Sequence, residues 1–325
     1  MTVRITILGL GQIGTSIGLA LAAHKEKVYR VGTDREPEVA KTANKLGALD
    51  QLNYNLPSAV AKADVVILAL PIDEIRPTLE IIVPDLKAGV VVINTSPLQV
   101  KAIEWAKELL PAERHFVNMT PVINPIYLEE QLSGVDAAHA DLFKNGLMII
   151  THAADADADA LKLAADLTSL LDSTPFFADP LEADGLLAAS YLLPRLAAAA
   201  LANAVIHQPG WGEGRKLAGK AFATATLPTE EMDEVKGFGL AALNNRDNVL
   251  RVLDDLAEEL RLLREAIAAG DEKALSDRLK SAREDRKTWR AQRLSGNFSD
   301  QPKNSLPTSG EIFGRIFLGK RKNSS

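Results

Sequence analysis

The chain has 325 residues, 46% of them hydrophobic, which is enough for two domains with cores of their own. A formal net charge of -6 and an isoelectric point near 5.5 offer no general attraction to nucleic acid or anionic lipid, so neither is expected as a partner. The lack of cysteine excludes disulfides, thiolate zinc sites, iron–sulfur clusters and a cysteine nucleophile.

The chain enters directly into Val3-Arg4-Ile5-Thr6-Ile7-Leu8, without the basic and apolar regions of an export signal, so a cytoplasmic location is expected. Residues 3–8, 28–32, 64–70 and 90–93 are short runs rich in Val and Ile, with helical patterns between the earlier ones. Near-continuous apolarity of this kind predicts parallel strands buried on both faces, and hence an α/β, doubly wound Rossmann sheet. Residues 116–118 and 147–151 extend that sheet and 174–178 form its last strand, which gives a dinucleotide-binding domain over residues 1–178.

The strongest chemical signal follows the first strand: Gly9-Leu10-Gly11-Gln12-Ile13-Gly14 opens the first helix. In this pattern the first glycine allows the tight turn, the second lets backbone approach a pyrophosphate, and the third lets helix pack on strand. The helix N-terminus adds free N–H groups and a positive dipole end for the phosphates. The second strand ends at Asp34, twenty positions beyond Gly14, where the fingerprint calls for an acid that accepts the ribose hydroxyls of NAD. Arg35, next to it, could instead hold the 2′-phosphate of NADP, so NAD is expected with NADP as the alternative. In open α/β sheets ligands lie at the carboxyl ends of the strands, which adds Leu70 and Pro71 and the Asn94-Thr95-Ser96 loop to the candidate contacts.

Asp155, Asp157 and Asp159 alternate like the start of a calcium loop, but Ala160 and Asp166 stand where that loop needs Gly and Glu, so they read as acids at a helix N-terminus and no metal is expected. After Asp179 strand signals cease, and an all-α domain is expected over residues 179–293. Within it residues 192–206, broken by Pro194, Arg195 and Asn203, read as a core helix too short and too polar to span a bilayer. Val249, Leu253, Leu256, Leu260, Leu263 and Ile267 form a heptad seam, either a stripe of an intramolecular bundle or a dimer interface. Residues 294–325 read as a flexible tail with a short amphipathic end around Ile312, Phe313, Ile316 and Phe317.

The glycine loop, Val31-Gly32-Thr33-Asp34-Arg35, Lys45-Leu46-Gly47-Ala48-Leu49-Asp50, Ala63-Asp64-Val65-Val66-Ile67-Leu68-Ala69-Leu70-Pro71, Phe116-Val117-Asn118-Met119-Thr120-Pro121, Asp179-Pro180-Leu181-Glu182-Ala183-Asp184, Ala189-Ser190-Tyr191-Leu192-Leu193-Pro194 and Asn244-Asn245-Arg246 together resemble the prephenate/arogenate dehydrogenases of tyrosine biosynthesis. The resemblance covers residues 1–289. It implies an NAD(P)-dependent oxidoreductase, a helical domain that makes a homodimer, and a small-molecule substrate in the cleft between the domains. The chain also departs from the family. The family's His before the proline, which accepts the proton of the ring hydroxyl, is Thr120 here; a hydroxyl is no base near neutral pH, and general-base catalysis is worth about 10²–10⁴-fold. The family's Asp and Ser after the fifth strand align with Ser96 and Gln99, its lysine with Lys101, its paired histidines are lost in Ser190-Tyr191-Leu192-Leu193-Pro194-Arg195, and its carboxylate-gripping arginine aligns with Leu227.

The remaining candidates for chemistry are Thr120, Lys101 and Asn118, with Tyr191 and Arg195 as substrate contacts and Arg195 as a replacement clamp. His115 reads as an exposed residue before a strand and His207 as a helix cap. Two classes of function fit: a dehydrogenase of this type with a changed substrate or rearranged site, including a reductase of another small imine or keto acid, or a dinucleotide-binding regulator or assembly partner without turnover.

Overall fold

The computed structural model describes residues 2–230 and 235–296. Strands β1 (Val3–Leu8), β2 (Val28–Thr33), β3 (Gln51–Leu52), β4 (Val65–Leu68), β5 (Val91–Asn94), β6 (His115–Val122), β7 (Leu147–Thr151) and β8 (Thr174–Phe177) form one sheet in the order β3-β2-β1-β4-β5-β6-β7-β8. Helices α1 (Gln12–Leu21), α2 (Pro37–Lys45), α3 (Leu56–Val60), α4 (Ile72–Ile82), α5 (Val100–Leu109) and α6 (Ala158–Leu170) cover its two faces. The strands are apolar on both sides because both sides are covered. Ile5, Ile7, Val65 and Ile67 face the core under α1 and α6, while their neighbours Leu8, Val66 and Leu68 face a second core with Ile75, Leu79 and Trp105.

Two features of the sheet differ from the sequence expectation. Strand β7 runs antiparallel to β6, with Thr120 opposite Ile149, so the run 147–151 extends the sheet in the reverse sense; apolar strands carry no mark of direction. Strand β3 has two residues, Gln51 and Leu52, too few to show a period.

The helical half begins with α7 (Pro180–Leu187), capped by the Asp179 carboxylate on the N–H groups of Leu181 and Glu182. A π-helical turn, Ala188–Leu192, joins it without a break to α8 (Leu193–Ile206). Then follow α9 (Trp211–Leu217), α10 (Lys220–Thr226), α11 (Val235–Asn244), α12 (Arg246–Ala269) and α13 (Glu272–Ser295). Leu192, Ala241, Val249 and Val252 complete the second core, so the two halves share apolar packing. Helix α13 turns back toward the sheet: its Arg293 donates to the Ile123 carbonyl (2.9 Å) and its Arg290 pairs with Glu129.

Residues 192–206 do not form the expected core helix. Ala198 is buried, whereas Leu201 and Ile206 are about 40% exposed. Because the π-turn fuses α7 to α8, the run Pro180–Ile206 has 27 residues and is long and apolar enough to cross a membrane, with 22% of its apolar window buried in the chain. The heptad seam is divided as well: Val249 is buried, while Leu260 and Ile267 face outward. Helix α13 continues through Ser295, past the expected start of the tail, and the amphipathic end lies outside the described residues.

Candidate functional site

Gly9 has a φ of +88°, a left-handed conformation that L side chains rarely adopt, and a Cβ there would sit 2.2 Å from the Ala69 carbonyl oxygen. Gly14 is pressed into the turn itself, since a Cβ on it would lie 1.9 Å from the Gly9 oxygen. A Cβ on Gly11 would meet nothing within 4 Å. Two glycines are therefore needed by the protein's own packing, and the third borders open space at the N-terminus of α1, where a phosphate fits the free N–H groups. Buried Thr15 locks the turn by donating its hydroxyl to the Leu10 carbonyl (2.6 Å).

Asp34 follows β2 directly. One of its carboxylate oxygens accepts the Leu10 N–H (2.6 Å) and the other accepts the Glu36 N–H (2.8 Å). The acid thereby fastens the glycine loop to the end of β2 and keeps lone pairs for a ribose, since a carboxylate has about four acceptor positions. Arg35 pairs with Glu74 in the first turn of α4 (3.1 Å) and with Glu36 (3.9 Å). Leu70 and Pro71 form the approach to α4, and Thr95, after β5, donates its hydroxyl to the Leu68 carbonyl (3.1 Å). All the predicted cofactor positions thus lie at the loops that follow β1, β2, β4 and β5.

Thr120 and Asn118 lie on β6 inside a neutral hydrogen-bond network. Thr120 donates to the Ser96 carbonyl (2.7 Å) and accepts from the Gln99 side-chain amide (2.9 Å). Asn118 donates to Thr151 Oγ1 (2.9 Å) and to the Gln99 carbonyl (3.1 Å) and accepts from Asn94 (2.8 Å), while Thr151 donates to Gln99 Oε1 (2.8 Å). Every member is buried and none titrates near neutral pH, so the network fixes the carboxyl ends of β5 and β6 but holds no base. Within it the Ser96 hydroxyl is buried without a partner.

Asp184 of α7 lies against this network from the helical half. Its carboxylate accepts the N–H groups of Gln99 (2.9 Å) and Val100 (3.0 Å) at the N-terminus of α5, and its carbonyl accepts from Asn245 (2.7 Å). Burial raises its carboxyl above the ordinary value, partly opposed by the two backbone N–H donors. Lys101, one position further on, pairs with Glu104 (2.8 Å) at the protein surface. Tyr191 occupies the π-turn and packs on the cluster of Ile149, Ala183 and Leu187. The guanidinium of Arg195 stacks 4.2 Å from the centre of the Tyr191 ring and donates to its carbonyl (3.1 Å).

His115 opens β6 and so stands at the opposite end of the sheet from the cofactor loops, half-buried rather than exposed, in a cavity of about 370 Å³ with Lys107, Phe116 and Asp155. His207 is the C-cap of α8, and Asp157 caps α6, as their sequence positions suggested. Asn94 was read as a loop contact and Gln99 as the position of the family's Ser, whereas Thr151 and Glu74 escaped the sequence reading of the site. Of these only Glu74 left a trace, as an acid in the first turn of a helix after a strand. The β6–β7 connection also joins the site: Gln12 donates to the Ala137 carbonyl (3.1 Å) and Ser16 accepts the His139 N–H (3.0 Å), with His139 stacked on Tyr127 and paired with Glu130.

Residues 17–174 match the family model of the prephenate dehydrogenase nucleotide-binding domain. The prephenate dehydrogenase of Bacillus subtilis is 26% identical over 286 residues, covering 86% of this chain and 74% of the relative. The cyclohexadienyl dehydrogenase of Zymomonas mobilis is 27% identical over 285 residues, 87% of this chain and 94% of that one. Among solved structures, the A. aeolicus prephenate dehydrogenase in complex with hydroxyphenyl propionate and NAD+ has the same fold, with a TM-score of 0.76, 23% identity, and coverage of 89% of this chain and 98% of that one.

Proposed function

The chain belongs to the prephenate/arogenate dehydrogenase family, and on that premise we propose that it is a dehydrogenase that binds NAD in the glycine loop and transfers hydride to or from a small substrate lying between the sheet and the helical half. The observation that carries the reading is the loop itself: Gly11 borders open space at the N-terminus of α1, with Asp34 fixed beside it. NAD, when bound, supplies the hydride chemistry, and the chain must orient a substrate and pass on a proton.

Arg195, held over Tyr191, stands in for the missing carboxylate clamp. Thr120 and Asn118 keep the ends of β5 and β6 in place through their network, and Thr120 has a lone pair left for a substrate hydroxyl. Without a base there, the proton leaves through solvent, and turnover of prephenate itself falls below that of a histidine-bearing relative by up to about 10²–10⁴-fold. The closed neutral network also favours a second reading, a dinucleotide-binding protein without turnover.

The apolar surface left open on the helical half, including Leu201, Ile206, Leu243, Leu260 and Ile267, supports a homodimer through that domain, with the exposed part of Pro180–Ile206 covered by a second copy rather than by lipid. Arg195 lies within that run, and a charge at mid-bilayer is costly. A soluble cytoplasmic enzyme of tyrosine biosynthesis follows from this reading. Titration with NADH and NADPH, followed by assays of prephenate and arogenate oxidation on the same preparation, tests it. Binding with turnover supports the dehydrogenase, binding without turnover supports the second reading, and no binding of either nucleotide refutes both.

A further inference from the structure

The geometry points to Glu74 as a cofactor-specificity residue: by holding Arg35 it denies the adenosine 2′-position the cation that a 2′-phosphate requires, and so makes the site select NAD over NADP. The inference rests on the dinucleotide-binding reading above. Arg35 directly follows the ribose acid Asp34, the place from which an arginine accommodates the 2′-phosphate of NADP. Its guanidinium meets Glu74 at 3.1 Å and Glu36 at 3.9 Å. Two carboxylates thus flank one guanidinium. Lys41, on the neighbouring helix α2, is paired with Glu38 (2.7 Å). A phosphomonoester carries about 1.5 to 2 negative charges near neutral pH, so reaching Arg35 means displacing Glu74 from it and meeting the Glu36 carboxylate as well.

Glu74 is separated from Arg35 by 39 positions and comes from a different βα unit, so the pairing is made by the sheet order that sets β2 and β4 on either side of β1. The Arg35 and Glu74 side chains are 59% and 40% exposed, and exposed ion pairs add little to stability. Glu74→Gln therefore folds, and what it changes is the charge that a nucleotide meets. It removes one negative charge from the cluster and takes from Arg35 the nearer of these two carboxylates, leaving the pairing with Glu36.

The test is a titration of the full chain, as wild type, Glu74→Gln, Arg35→Ala and the double variant, with NADH and with NADPH, followed by nicotinamide fluorescence. The wild type is expected to prefer NADH. Glu74→Gln is expected to lower the ratio of the NADPH to the NADH dissociation constant by about fivefold to tenfold, a change of about 1 to 1.4 kcal/mol. Adding Arg35→Ala is expected to cancel that gain, and raising the salt to shrink it. NADH binding with a ratio unmoved by Glu74→Gln, a gain that survives Arg35→Ala, or a wild type that prefers NADPH overturns the inference and leaves the dinucleotide-binding reading standing. A chain that binds neither nucleotide overturns both.

Discussion

Asp50→Ala removes the carboxylate that neutralises Arg30, whose side chain is 2% exposed beneath α1. Arg30 donates Nε and Nη2 to the two Asp50 oxygens (2.9 and 2.7 Å) and Nη1 to the carbonyls of Gly18 and Gly47 (2.9 and 3.0 Å), while its backbone N–H also donates to Asp50 (2.9 Å). In the variant the guanidinium keeps two neutral acceptors and loses its counter-charge. Breaking a buried pair from one side costs about 3–5 kcal/mol. The Asp50 side chain is 22% exposed, so water reaches the site, and the loss is expected at the lower end, about 3 kcal/mol. At about 2–4 °C per kcal/mol this lowers the melting temperature by about 6–12 °C. Replacing both partners by apolar residues, Arg30→Met with Asp50→Leu, should recover most of the loss. The Arg30 hydrogen bonds hold the Asp50 carboxyl below its usual value, so its contribution is complete above about pH 3.9 and is lost as pH falls through the folded value. The gap between wild type and Asp50→Ala in thermal melts must therefore narrow on acidification. A melting temperature that moves by no more than an exposed pair allows, about 1 kcal/mol, would refute the reasoning by showing Arg30 to be solvated.

Gly14→Ala places a methyl group 1.9 Å from the Gly9 oxygen and is expected to weaken NADH binding at least about tenfold while lowering stability; a wild-type dissociation constant would show that the loop does not contact the nucleotide. Asp184→Ala leaves the N–H groups of Gln99 and Val100 without their cap and should cost about 0.5–2 kcal/mol in denaturant unfolding. The sign of its pH dependence is opposite to that of Asp50: burial raises the Asp184 carboxyl, so its contribution is complete below about pH 3.9 and lost as pH rises through the folded value, and the variant flattens that part of the stability profile. Thr120→His restores the family residue in a site that is 5% exposed and already filled by Gln99 and Ser96, so a loss of about 1–3 kcal/mol is expected with no gain in prephenate turnover; a gain above tenfold would show that the missing base alone limits the reaction.

The order of elements and the cofactor loop were legible in the sequence because each depends on neighbouring residues. A buried strand is a short Val/Ile run, a left-handed turn needs Gly9, and an acid at the end of β2 lies a fixed distance down a βα unit, so β1 and β7 were bounded correctly and Asp34 was placed directly after β2. What chain-local pattern cannot carry is partnership. The reversed pairing of β7 on β6 leaves the apolar run unchanged, the exposure of α8 depends on which helices arrive beside it, and the 27-residue run exists because a π-turn joins what Pro194 seemed to divide.

The same division holds within the site. Sequence determined which residues stand at the loops: the three glycines, Asp34 and Arg35, and Thr120 where the family has its histidine. Tertiary structure alone decided what those residues are bonded to. Thr120 is tied to Gln99 and Ser96, Asn118 to Asn94 and Thr151, and Arg35 to Glu74, across separations of 21 to 39 positions. Such contacts are set by the crossover order of the strands, which brings the ends of distant βα units to one edge of the sheet, and a hydrogen bond's direction and energy depend on that meeting rather than on either residue alone.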